Sequence, residues 1–199
     1  MKKYAKVVPL LIVLLMMFGC AGSSQYMRKT APPVGGPSPE KALVYFMRPS
    51  GFGFAINFQI WDSRELIGLA QAKSFFVYEC DPGKHLFIGL AENKRAVEAE
   101  LEAGKSYYIL TQVKMGAWKA RMGFVPVTRG SEYWDKVEEY RKELNFIVAD
   151  KAALERYLAD KKEQTEAVIN HTISYLNTTE GRKYVAPPQY RGRQIEIWG

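Results

Sequence analysis

The fold is decided by residues 74–101, which read SFFVYECDPGKHLFIGLAENKRAVEAEL. Short apolar-rich runs in this stretch are separated by turn residues, a spacing that predicts β-strands. In the first connection, Asp81-Pro82-Gly83-Lys84, glycine stands where a type II turn requires a positive φ angle. We expect this turn, and the similar one at 102–105, to close antiparallel hairpins.

The same pattern continues on both sides of this stretch. The run 42–47 is continuously apolar, as in a strand covered on both faces, whereas Ile56, Phe58 and Ile60 alternate with polar residues. The predicted strands are 42–47, 56–60, 65–70, 74–80, 85–91, 95–101, 106–115 and 122–127. About seven or eight short strands with tight connections predict an antiparallel β-sandwich over residues 40–129.

After Gly130 the apolar spacing changes to that of helices. Tyr133, Val137, Tyr140 and Leu144 form one helical stripe, which predicts a helix that starts after Ser131. Asp150 is expected to cap a longer helix that ends before Gly181. Its predicted inward positions are Leu154, Leu158, Ile169, Ile173 and Leu176. The class is therefore α+β, with a helical extension at 130–181 and a C-terminal arm at 182–199.

The N terminus predicts export and lipid attachment. A basic head, with Lys2, Lys3 and Lys6, precedes an apolar run that is too short to cross a membrane. This order indicates a removable signal peptide at residues 1–19. Gly19-Cys20-Ala21 resembles a lipobox, in which the cysteine thiol and its freed amino group receive acyl chains. Lipid at Cys20 would anchor the mature chain without a membrane-spanning segment. The alternative is an ordinary secretory signal with an incidental cysteine.

Location and partners follow from this anchor. Residue Ala21, rather than Asp, favours the outer membrane of a two-membrane envelope, with the domain facing the periplasm. Residues 20–39 are rich in Gly, Ser and Pro and are interpreted as the lipidated N terminus and a tether. The net charge is +7, but three of the lysines lie in the signal peptide, so the charge does not indicate a nucleic-acid partner.

Residues 40 to about 127 resemble an uncharacterised bacterial family, the domain of unknown function numbered 2846. The runs that carry the resemblance are ALVYFMRP (42–49), SFFVYE (74–79), PGKH (82–85), AGKSYY (103–108) and VKMG (113–116). The resemblance implies a small β-rich lipoprotein domain and supplies no catalytic residue. Turns of the PGKH kind also resemble those of PEGA domains, which are immunoglobulin-like sandwiches. Cys80 departs from the aliphatic residue expected before such a turn.

The candidate chemical groups do not indicate an enzyme. A thiol enzyme needs a cysteine and a histidine, and Cys80, His85 and the distant His171 are the candidates. No orienting acid is apparent beside them. Cys80 also shares a strand face with Phe76, as a buried apolar residue would. The acidic row of Glu98, Glu100 and Glu102 suits a cation, although a solvated outer face explains it more simply. We therefore predict no catalytic residue, no cofactor and no metal site.

Two loops combine glycine with aromatic residues and are the candidate partner-binding sites. They are 51–54 (GFGF) and 115–118 (MGAW), the second followed closely by Arg121. Exposed aromatic rings beside cations are common at recognition surfaces, so Phe52, Phe54, Trp118 and Arg121 are the predicted contact residues. The alternative is that these rings fold back into the core.

The expected function follows from the anchor and the two loops. We expect a membrane-anchored, non-catalytic envelope module that contacts another protein. The alternative is a lipoprotein that binds a glycan or a lipid near the membrane surface, which requires a concave apolar pocket.

Overall fold

The computed structural model describes residues 26–33, 35–91, 93–115 and 120–185. Within these ranges the chain forms ten strands, two α-helices and one 3₁₀ helix. The strands are β1 (Met27–Lys29), β2 (Ala42–Arg48), β3 (Phe58–Asp62), β4 (Glu65–Ala70), β5 (Ser74–Cys80), β6 (Gly83–Leu90), β7 (Lys94–Leu101), β8 (Ser106–Met115), β9 (Ala120–Val127) and β10 (Asn145–Ala149). The helices are α1 (Val137–Glu143), α2 (Lys151–Leu176) and the 3₁₀ helix (Gly181–Tyr184).

The strands form two sheets that pack face to face. One has six strands in the order β1-β10-β5-β2-β8-β9, and the other has four in the order β4-β3-β6-β7. Between the sheets, the ring of Phe46 on β2 stacks on Phe76 of its own sheet at 5.1 Å and meets the edge of Phe87 on β6 at 5.2 Å. The predicted sandwich is confirmed at this level, and β2 to β9 lie where the apolar runs predicted strands.

The prediction that two glycine turns close hairpins is wrong. β5 pairs with β2, whereas β6 pairs with β3 and β7, so the turn at 81–84 carries the chain from one sheet to the other. The turn at 102–105 returns the chain from β7 to β8 in the six-stranded sheet. Gly83 and Gly104 do adopt positive φ angles, of 130° and 71°. A tight turn reverses the chain but does not determine which sheet the next strand joins.

The six-stranded sheet is mixed rather than purely antiparallel. β2 pairs in parallel with β8, and β10 pairs in parallel with β5. Because all seven residues of β2 are buried, this strand needs neighbours on both sides and cover on both faces. Placing β5 and β8 on either side of β2 puts the most apolar strands at the centre of the sheet.

A short strand lies within the segment interpreted as a tether. β1 pairs antiparallel with β10, with Met27 opposite Ala149. Met27 is buried, and the backbone N–H of Leu69 lies 3.4 Å from its sulfur. Three residues, two of them charged, have no apolar periodicity, which is why the sequence pattern missed this strand. Cys20 and the predicted signal peptide lie outside the described residues.

The helices cover the two outer faces of the sandwich. α1 lies over the six-stranded sheet, where the guanidinium of Arg141 is 5.6 Å from the centre of the Tyr45 ring. α2 crosses the four-stranded sheet, where the side chain of Arg64 donates to that of Asn170 at 3.0 Å. In the parts of the chain that are described, no helix combines the length and apolar character needed to cross a membrane.

The helix boundaries agree in part with the sequence pattern. The predicted cap of α2 is confirmed, because the Asp150 carboxylate accepts from the backbone N–H of Ala153 at 2.9 Å. Three of its predicted inward side chains, Leu154, Ile169 and Leu176, are buried. α1 begins later than predicted, at Val137, because residues 131–136 form successive turns instead.

We expect the Gly181→Ala substitution to destabilise the attachment of the C-terminal segment. A Cβ at Gly181 would overlap the backbone carbonyl of Tyr175, which a side-chain rotation cannot relieve. Overpacking of this kind costs about 1–3 kcal/mol, which urea denaturation of the variant would measure. The matched control is Gly123→Ala, whose Cβ meets nothing within 4 Å. Equal stability of the two variants would contradict the prediction.

Candidate docking site at one end of the sandwich

The two ends of the sandwich carry different turns and loops. β2 ends at Arg48, which pairs with Ser74 at the start of β5, and β8 runs alongside β2 toward the same end. We call this end, formed by residues 50–57, the turn at 71–73 and the adjoining ends of β8 and β9, the aromatic pole. The opposite end, with the turns at 81–84 and 102–105, is the entry pole.

The first strand, β1, runs in the same direction as β2. β1 is antiparallel to β10, β10 is parallel to β5, and β5 is antiparallel to β2. β1 therefore runs in the same direction as β2, from the entry pole toward the aromatic pole.

Arg48 organises the backbone of the aromatic pole. Its side chain is completely buried. One terminal nitrogen donates to the carbonyl oxygens of Ile56 at 2.6 Å and Ala70 at 3.0 Å, and the other donates to those of Phe52 at 3.0 Å and Gly53 at 2.8 Å. The planar guanidinium suits this arrangement because its donors form a rigid fork. Four carbonyl groups are thereby held around one side chain.

Among the residues that the structure describes, no carboxylate forms an ion pair with the buried Arg48. Burial lowers the pKa of its guanidinium to about 10, which still leaves the group charged at neutral pH. Its partners are the four carbonyl dipoles and the ring of Phe58, whose centre lies 4.4 Å from the guanidinium carbon. The interior beneath the aromatic pole therefore carries a positive charge.

Because the loop carbonyls point inward to Arg48, the loop aromatic side chains face solvent. Phe52 is 49% exposed, Phe54 is 66% exposed and Ile56 is 38% exposed. The alternative that these two rings fold back into the core is therefore not what the structure shows. Apolar side chains exposed together on a fixed backbone form a surface suited to docking.

The structure brings the end of β8, which precedes the second candidate loop, next to the first loop. A Cβ built on Gly53 would lie 3.7 Å from a methyl carbon of Val113, near the end of β8. The next residue along, Lys114, is paired across the sheet with Arg121 of β9. Arg121 is exposed at the aromatic pole, and Trp118 lies outside the described residues.

Two residues of this site escaped the sequence analysis. Lys73 is exposed, and its side-chain carbon Cε lies 3.6 Å from where a Cβ of Gly51 would be. Nothing in its sequence surroundings marks it. Arg48 had a weak signal, since it is a charged residue that ends a continuously apolar run just before a glycine-rich loop.

Cys80 and His85 lie close enough to interact, but the ring nitrogens of His85 face other acceptors. Cys80 is buried, and its sulfur lies 3.9 Å from the carbonyl oxygen of Ala42. The nitrogens of His85 face acceptors, the Asp62 carboxylate at 2.6 Å from Nδ1 and the Asp81 carbonyl at 2.9 Å from Nε2. Mainly because of the Asp62 contact, the pKa of His85 is raised to about 10. A ring that donates from both nitrogens has none left to act as a base.

The acidic row on β7 is engaged by the C-terminal segment. Arg182, on the 3₁₀ helix, donates to both carboxylate oxygens of Glu98, the second at 2.9 Å. This contact replaces the simple solvated face expected there. Glu100 is exposed, and Glu102 lies in the turn after the strand. Among the described residues, no three His, Cys, Asp or Glu side chains converge as metal ligands would.

No protein-family model, curated protein or solved structure matches this chain closely enough to indicate common descent.

We expect Arg48→Met to release the loop at the aromatic pole. Methionine fills part of the space but leaves four carbonyl groups without their donors, at a cost of about 1–3 kcal/mol for each group that stays buried. The loop should become sensitive to chymotrypsin after Phe52 and Phe54, and the unfolding midpoint in urea should fall. Lys73→Met, which removes an exposed charge nearby, is the control. Equal protease resistance in both variants would show that Arg48 does not hold the loop.

We expect the stability that His85 provides to depend on pH. The raised pKa, about 10 against an ordinary 6.5, means that its contribution is complete below about pH 6.5 and is lost as the pH rises through about 10. The difference in unfolding free energy between the wild-type protein and His85→Gln should shrink across that range. Lys84→Gln controls for loss of a neighbouring charge. A difference that stays constant from pH 6 to pH 10 would contradict this assignment.

Proposed function

We propose that this chain is a lipid-anchored, non-catalytic module of the bacterial envelope that contacts a partner protein through its aromatic pole. The observation that carries the proposal is the loop fixed by Arg48, with Phe52 and Phe54 at its surface. A loop whose backbone is already ordered loses little entropy on binding, so the exposed rings can contribute more of their burial energy to affinity.

In this proposal the lipid on Cys20 holds the entry pole toward the membrane. The chain from Cys20 to Met27 spans at most about 25 Å when fully extended. Since β1 runs from the entry pole toward the aromatic pole, this short segment leaves the aromatic rings directed away from the anchoring bilayer. Placement in the outer membrane, facing the periplasm, follows from Ala21 and belongs to the same proposal.

The proposed family relationship and finer fold belong here as well. The runs that resemble the domain of unknown function numbered 2846 fall on β2, on β5, on the turn before β6 and on β8. A PEGA-like or immunoglobulin-like arrangement is the proposed subtype of the sandwich. The absence of catalysis is supported by the engagement of both His85 nitrogens with acceptors.

A ligand-binding lipoprotein is the second candidate, and one cleft favours it. The cleft has a volume of about 370 Å³ and is lined by residues that include Lys84, His85, Glu98 and Glu100. Its size suits a small molecule, but the lining is charged, whereas ligand pockets are mostly apolar with few polar groups. The cleft also lies away from the exposed rings, so we favour the protein contact.

We expect a photoreactive phenylalanine analogue at position 54 of the full-length, membrane-attached chain to crosslink a discrete protein in living cells. The matched control carries the same analogue at position 100, an exposed site on β7. Adding Phe52→Ala should weaken the adduct, because the two rings act together. Mass spectrometry of the mature N terminus should show acylated Cys20.

Two results would count against the proposed function. Crosslinks of equal pattern and strength from positions 54 and 100 would show that the aromatic pole has no specific partner. An unmodified Cys20, or an uncleaved leader, would remove the lipid anchor from the proposal.

A further inference from the structure

The aromatic pole carries an excess of cations that the fold does not neutralise. Three cations outside the aromatic pole pair with carboxylates: Lys41 with Asp81 at 2.6 Å, Arg141 with Glu138 at 3.0 Å, and Arg182 with Glu98. Lys73, Lys114 and Arg121 are exposed, and none of them pairs with a carboxylate among the described residues. Together with the buried Arg48, they make the pole electropositive.

The positions of two of these cations destabilise the sheet locally. Lys114 and Arg121 lie directly opposite each other on the antiparallel pair β8 and β9, so their side chains share one face. Like charges directly opposite each other on neighbouring strands repel. A local destabilisation that no described contact offsets is a feature expected of a functional surface.

Lys73 is also fixed rather than loosely placed. Its backbone has a φ angle of 53°, in the left-handed region that non-glycine residues rarely adopt. The backbone and side-chain amides of Asn145 both donate to the Lys73 carbonyl, at 3.0 Å and 3.2 Å. This double contact holds Lys73 beside Gly51, at the base of the loop that exposes the rings.

We propose that the partner of the aromatic pole is an acidic protein surface with an apolar pocket, in which Phe54 inserts while Lys73, Lys114 and Arg121 contact carboxylates around it. This inference rests on the proposed function, since it names the chemistry of the same contact. An apolar centre with a charged rim is the common anatomy of protein interfaces. Phe54 is the inserting ring because it is the most exposed of the large apolar side chains.

The charged rim governs how fast the partner is found and how the complex responds to salt. Complementary charges accelerate encounter, and their contribution weakens as ionic strength rises. The apolar contact, in contrast, governs how long the complex lasts. The two parts of the pole therefore have separable kinetic effects.

The test uses the protein crosslinked at position 54, purified and bound to the full-length chain in detergent. The charge-reversed variant Lys73→Glu, Lys114→Glu, Arg121→Glu should slow association by about tenfold or more, and the rate for the wild-type chain should fall steeply with added salt. Phe54→Ala should instead mainly accelerate dissociation. The matched control reverses three lysines outside the pole, Lys84, Lys105 and Lys151, and should leave the association rate near that of the wild type. Circular dichroism confirms that each variant is folded.

The outcomes separate this inference from the proposed function. If the crosslinked protein binds the charge-reversed variant at the wild-type rate, the acidic partner is ruled out while the protein contact stands. If both triple variants slow association equally, the effect is one of net charge and the proposed rim is wrong. If vesicles of phosphatidylglycerol bind the chain, and Phe52→Ala with Phe54→Ala abolishes that binding, the pole contacts a bilayer and both proposals fall.

Discussion

The aromatic pole depends on the guanidinium of Arg48. This group ends β2 at the centre of the larger sheet, and its contacts reach the loop that follows and the end of β4 in the smaller sheet. One side chain therefore joins the two layers and sets the shape of the loop between them. The isolated cation is costly to bury, and the four carbonyl groups offset that cost only if all of them stay in place. The burial of Arg48 and the conformation of the loop therefore depend on each other.

A second polar group joins the layers at the entry pole, with a different electrostatic balance. The Asp62 carboxylate of the smaller sheet accepts from His85 and also from the hydroxyl of Tyr78 on β5 of the larger sheet, at 3.2 Å. Here an anion and a cation neutralise each other. At the other end the described partners of the cation are carbonyl dipoles and a ring. The sandwich is therefore electrically asymmetric along its strands, with the uncompensated charge beneath the exposed rings.

The location of β2 to β9 could be predicted from the sequence, but their partners, and the strands β1 and β10, could not. Apolar runs such as 42–47 and 106–115 show where extended chain is buried, because burial imposes a local pattern. The pairing of β2 with β5 and β8 depends instead on which strands are covered on both faces, and this is decided only when the layers assemble. β1 was missed because three residues carry no period. Phe52 and Phe54 were predicted from the composition of their loop. The carbonyl groups of Phe52 and Ala70, in contrast, meet at Arg48 only in the folded chain, and no sequence pattern marks this contact.

The pairing of β1 with β10 has a consequence for the order of biogenesis. Met27 cannot pair with its strand partner until Ala149 has been synthesised. Contacts between such distant residues form late, since a long loop must first close. Residues 27–29 therefore stay unpaired until the chain has been made as far as β10. The first strand in the sequence is thus among the last to join its sheet.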